Sequence, residues 1–156
     1  MHFPRIAGLA LLATTVFSTS IAQELVVVAP DQIKTYELNV LTNAFTQKTI
    51  ETISTWTGTD IVSYQGVSLE DVLRAHDLQG TIIEISAENG YVSKIPRNMI
   101  QEFQPIIAFE ADGKPLDFAS RGPLSLIWPR SEYPEALGET IDGMWTWYVT
   151  EIREIN

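Results

Sequence analysis

Two dipeptides, Asn89-Gly90 and Asp112-Gly113, do most to limit what this chain can fold into. Both favour the left-handed backbone angles of a tight β-hairpin turn, and both sit between short β-rich runs. The same punctuation recurs along the chain. Residues 24–29, 35–41, 49–56, 61–64, 81–87, 106–111 and 124–128 are apolar or alternating segments, each ended by proline, glycine or a polar cluster. In the second of these, Tyr36, Leu38 and Val40 would share one strand face. "TGTD" at 57–60 is a turn. A closing strand from Trp145 to Ile155 points Trp145, Trp147 and Val149 one way and Thr146, Tyr148 and Thr150 the other. Two stretches read as helices. Ser68 is an N-cap with Asp71 three residues on, and Leu69, Val72, Leu73 and Leu78 keep helical spacing as far as Gly80. Pro96 opens the second, "PRNMIQEF", at a position where proline is tolerated. Many short strands with two brief helices predict a β-dominated α+β domain.

Residues 1–22 stand apart. Met1 to Arg5 carries a positive charge, Ile6 to Phe17 is apolar, and Ser20-Ile21-Ala22 offers the small residues that a signal peptidase reads. The apolar run is shorter than the roughly 20 residues of a membrane span. The sequence therefore predicts a cleaved secretory signal over 1–22, a single domain over 23–156, a periplasmic location and no membrane anchor. Removing 22 of the 156 residues leaves 134, enough for one self-sufficient core. The chain holds no cysteine, which rules out disulfides, thiolate metal sites and a thiol nucleophile. With Arg5 removed, the ten basic residues fall to nine against 20 acidic ones, a net charge of −11. So acidic a surface argues against nucleic acid as a partner. His76 is the one histidine outside the signal, at the end of a helix where a solvated side chain is expected. A Ser-His-Asp triad or a histidine zinc site would rest on it alone.

Candidate chemistry gathers among the tryptophans and arginines. Trp56, Trp128, Trp145 and Trp147 are the four indoles, and three of them fall between residues 128 and 147. Each could fill a core, and because Trp145 and Trp147 share a face at least one should pack inward. Trp128 abuts Pro129 and Arg130 at a strand end, and loops at the ends of a rigid sheet are where sites are built. Arg121 precedes Gly122-Pro123, and Gly122 permits close backbone approach. Arg121 either pairs with a surface carboxylate, worth about 0–1 kcal/mol, or offers its planar fork of donors to a flat ligand.

Five motifs occur in a telling order: "GVSLEDVL", "ENGYVSKIP", "IIAFEADGKPL", "RGPLSLIWP" and "MWTWYVTEIREI". In this order they resemble the molybdopterin-binding domain of sulfite-oxidase-like oxidoreductases, from about Thr49 to Ile155. The chain is most similar to the small, secreted, stand-alone version of that domain. Members of that group look like periplasmic sensors that bind a reduced pterin and report to a membrane cyclic-di-GMP enzyme. The resemblance thus implies a pterin ligand of the tetrahydropterin kind and, as partner, the periplasmic domain of a membrane diguanylate cyclase or phosphodiesterase. In the catalytic family a cysteine thiolate before the "Gly-Val-x-Leu" helix holds molybdenum. Spacing from Gly66 puts that position near Ser54, and sulfite-oxidase-type chemistry uses a soft sulfur ligand. The implied protein keeps a pterin pocket, expects no molybdenum and performs no turnover. A residual molybdopterin oxidoreductase, or a periplasmic adaptor with a vestigial pocket, are the alternatives.

A pterin is a flat bicycle whose O4/N5 edge resembles the O6/N7 edge of guanine, which arginine reads with two hydrogen bonds. The resemblance therefore implies that Trp128 or Trp145 stacks the ring while Arg121 forks onto the acceptor edge. The opposite edge, N3–H and the 2-amino group, needs an acceptor such as Glu88, Asp142 or a loop carbonyl. Asn89 and Tyr91, from the family's "x-Gly-Tyr" turn, would line the mouth. Gly122, Pro123 and Arg130 complete the expected binding set.

Overall fold

A computed structural model describes residues 24–54 and 56–155. The expected signal segment, 1–22, lies outside the described residues. The strands are β1 (Glu24–Val28), β2 (Ile33–Glu37), β3 (Gln47–Thr52), β4 (Val62–Ser68), β5 (Ile82–Ala87), β6 (Val92–Pro96), β7 (Ile106–Ala111), β8 (Lys114–Pro115), β9 (Ser125–Ile127), β10 (Thr146–Trp147) and β11 (Val149–Ile155). Between them lie α1 (Leu38–Ala44), α2 (Leu69–Ala75), α3 (Arg97–Phe103), α4 (Pro134–Leu137) and a 3-10 segment, Glu139–Met144. One sheet runs β2-β1-β11-β5-β6 and the other β10-β9-β7-β4-β3, with β8 paired to β7. Every pairing is antiparallel except β1 with β11. This is the β-dominated α+β fold with short helices that the sequence predicts.

Both sheets feed one core. Leu25, Val27, Ile83, Ile85, Ile95 and Ile152 come from the first, and Val67, Ile106, Ile107, Leu126 and Ile127 from the second. Consecutive residues of β7 and β9 are buried, so these strands are covered on both faces and read as continuous apolar runs rather than alternation. Gly66 lies at an irregularity in the β4–β7 register, so close to β7 that a Cβ there would overlap the Ile107 backbone. At the β7–β8 turn Asp112 and Gly113 are both left-handed, at φ 48° and 74°, as the hairpin signal requires.

Ser68 caps α2 as expected, its Oγ accepting the Asp71 N–H at 3.3 Å. The helix stops at Ala75 rather than at Gly80, and Asp77 takes the left-handed conformation at φ 53°. His76 is buried, not solvated: its Nε2 lies 2.8 Å from the Tyr36 hydroxyl. Burial, aided by the nearby Lys34 charge, holds its pKa below the ordinary value. The alternation expected over 35–41 fails halfway. The chain turns helical at Leu38, burying Leu41 with Leu38 and Phe45 packed against the core, and leaving Val40 exposed. That is helical spacing hidden inside an apparent period of two. The closing strand is also broken. Tyr148 adopts a left-handed φ of 57° and divides β10, in the second sheet, from β11, in the first.

Candidate binding site

Three tryptophans meet at one corner of the molecule. Trp145 and Trp147 flank Thr146, which is fixed by a 2.7 Å hydrogen bond between its hydroxyl and that of Ser93. Two residues apart on an extended chain, their indoles point the same way and stack at 5.8 Å with planes 19° apart. Trp56 reaches them from the turn after β3 and meets Trp147 edge-on, at 4.6 Å and 89°. Ser54 organises that turn: its Oγ accepts the N–H groups of Trp56 at 3.3 Å and Thr57 at 3.2 Å, while Thr57 Oγ1 accepts the Ser54 N–H at 2.8 Å.

The three indoles, with Asn89, Tyr91 and Asp142, line a cavity of about 320 Å³. That is the lower end of the range for small-molecule sites, suited to a bicycle rather than a large cofactor. The polar wall is well ordered. Tyr91 donates its hydroxyl to the Gly143 carbonyl at 2.6 Å, tying the β5–β6 turn to the 3-10 segment. Asn89 Oδ1 accepts the Tyr91 N–H at 3.0 Å. Asp142 Oδ1 accepts from Arg130 Nη1 at 3.0 Å. The indole N–H of Trp145 is buried and has no acceptor among the described residues.

Asn89, Tyr91 and Trp145 thus come together as the sequence reading expects. Trp128 does not join them. It is completely buried, and its N–H donates to the Met144 carbonyl at 3.2 Å, so it presents no ring face to a ligand. The end of this strand is not a surface here, because Trp128 is held against the end of the 3-10 segment through Met144. Arg130 is likewise a support, committed to Asp142. Trp128 and Arg130 together hold the segment that carries the cavity's carboxylate.

Arg121 is in the left-handed region, at φ 66°, and its guanidinium carbon lies 5.4 Å from the ring centroids of both Trp56 and Trp147. Among the described residues it forms no salt bridge. It touches the walls rather than lining the cavity. Gly122 and Pro123 are also structural: a Cβ on Gly122 would overlap Leu116, and the Gly122-Pro123 peptide is cis. Of the two carboxylates considered as acceptors, Asp142 lines this cavity, and Glu88 lines a neighbouring one. Trp56 and Trp147 are the wall residues that the sequence reading did not assign. The signal for Trp56 was a bulky ring in the polar turn "TWTGTD", where a core role is hard to satisfy.

A thiolate-held metal does not fit these residues. The position expected for the metal-binding cysteine falls near Ser54, which is buried with its oxygen engaged by two backbone N–H groups. No group of three or more histidine, cysteine, aspartate or glutamate side chains placed to hold a metal occurs among the described residues.

The architecture is a β-dominated α+β fold that recurs as part of a larger solved protein. Among solved structures, the crystal structure of the sulfane dehydrogenase SoxCD from Paracoccus pantotrophus matches it with a TM-score of 0.60 and 15% sequence identity. The match covers 83% of this chain but 37% of the SoxCD chain, and at this identity the likeness is one of fold. No protein-family model and no curated protein matches the sequence.

Proposed function

We propose that this chain is a pterin-binding protein without a redox metal, a periplasmic sensor acting on a membrane cyclic-di-GMP enzyme. The observation that carries the binding step is the cavity walled by Trp56, Trp145 and Trp147 with one carboxylate, Asp142, in its lining. A flat heterocycle stacks on indole for about 1–3 kcal/mol. Arg130 occupies one Asp142 oxygen, and the other accepts from the N3–H and 2-amino edge of a pterin. Hydrogen bonds to a charged acceptor contribute about 1.5–3 kcal/mol each. The carbonyl edge is the part first assigned to Arg121. Arg121 instead steadies the two indoles.

Titration with oxidised and tetrahydro forms of 6-methylpterin, followed by tryptophan quenching, tests this reading. Quenching that saturates at tens of micromolar ligand or below is expected, with Asp142→Asn weakening it about tenfold. No quenching with either form would overturn the reading. The signalling role predicts that cells carrying Asp142→Asn have altered cyclic-di-GMP levels. Unchanged levels alongside lost pterin binding would remove that role.

A further inference from the structure

A second cavity of about 370 Å³ adjoins the first, and Asn89 lines both. Its other walls are Glu88, Phe118 and Tyr148. Phe118 is 75% exposed, the most exposed large apolar side chain among the described residues. It is nonetheless held in place. Its ring stacks on Tyr148 at 4.8 Å with planes 26° apart, and its carbonyl accepts the Tyr148 hydroxyl at 3.1 Å. The loop behind it is closed by Asp117 and Ser120, whose side chains each accept the other's backbone N–H at 2.8 Å.

Tyr148 is positioned with equal care. Its left-handed backbone interrupts a strand, a conformation that a bulky residue adopts only when its surroundings enforce it. The enforcement comes from both sides: Glu88 N–H donates to the Tyr148 carbonyl at 3.0 Å, and Tyr148 N–H donates to the Arg121 carbonyl at 3.4 Å. A phenyl group on water, pinned by hydrogen bonds beside a tryptophan-walled cavity, is a platform for a second flat ring.

We infer that the Phe118–Tyr148 pair is a second subsite, which takes an uncharged aromatic group carried on the same ligand as the heterocycle in the tryptophan cavity. The inference rests on the pterin reading and narrows it to pterins with a neutral aryl substituent. Neutrality follows from the Glu88 carboxylate in the wall and the chain's net charge of −10, which both oppose an anionic tail.

Calorimetric titration with three probes decides it: 6-methylpterin, 6-(anilinomethyl)pterin and pteroic acid, which is the second probe with a carboxylate on its ring. The anilinomethyl compound should bind about tenfold tighter than 6-methylpterin, the worth of one stacked ring, and tighter than pteroic acid. In Phe118→Ala the anilinomethyl advantage should vanish while 6-methylpterin affinity is unchanged; the ring is a surface one, so the variant keeps its fold. An anilinomethyl advantage that is absent in the wild type, or that survives in Phe118→Ala, overturns the second subsite alone. Pteroic acid binding as tightly as the neutral probe overturns the exclusion of anionic tails. If 6-methylpterin itself fails to bind, the pterin reading falls and this inference with it.

Discussion

Arg97 and Arg121 are both drawn partly out of water, and the molecule treats them in opposite ways. Arg97, at the start of α3, forks onto the buried carboxylate of Glu70 in α2, with Nη2 and Oε1 3.0 Å apart and Nη1 on the other oxygen. Arg121 has no carboxylate among the described residues and lies instead against the faces of two indoles. The first arrangement joins two helices and belongs to the stability of the fold. The second braces ring walls beside a cavity, where an aromatic–cation contact steadies a surface without closing it. For these two arginines, the carboxylate partner goes with the fold and the indole partners go with the candidate binding corner.

The sharpest way to break this contrast is to truncate each arginine. Arg97→Ala leaves the buried Glu70 only its longer, 3.5 Å contact with Arg74 and should cost up to about 3–5 kcal/mol, read as a lower urea midpoint. Arg121→Ala should cost about 1 kcal/mol or less and instead weaken ligand binding. Equal stability losses would erase the distinction. The tryptophans extend it. Trp128→Ala removes a fully buried indole and should cost about 3–5 kcal/mol, whereas Trp56→Ala, at a half-exposed ring, should cost under about 1 kcal/mol yet lower pterin affinity severalfold.

The smallest effect is on acid stability. Burial acts to raise the Glu70 carboxyl, but hydrogen bonds and charge from Arg97, with help from Arg74, outweigh it and hold the group below its ordinary 4.5. A depressed carboxyl contributes stability above its unfolded pKa and loses it as pH falls through the folded one. Unfolding measured below pH 4.5 should therefore show a decline that Glu70→Gln flattens. An unchanged acid arm in that variant would place the acid sensitivity elsewhere.

Much of the fold was legible because local chemistry and tertiary context agreed. The Ser68 cap, the Asp112-Gly113 turn and the apolar run Ile106–Ala111 each specify one conformation. Where the two disagreed, the sequence misled. Tyr36, Leu38 and Val40 alternate well enough for a strand, but only a helix lets Leu41 into the core. The 3-10 segment "ETIDGM" has no periodicity to read. The site divided in the same way. Asn89, Tyr91 and Trp145 sit in or beside recognisable motifs. The role of Trp128 depends on what lies above its strand end, and the walls contributed by Trp56 and Trp147 depend on a turn distant in sequence folding back against the last strand.

That last strand changes sheets at Tyr148, with Trp147 on one side of the joint and Val149 on the other. One of the indoles that wall the cavity is therefore a single peptide bond from the splice between the molecule's two layers. A guest resting against Trp147 would bear on the backbone joint at which the chain crosses from one layer to the other.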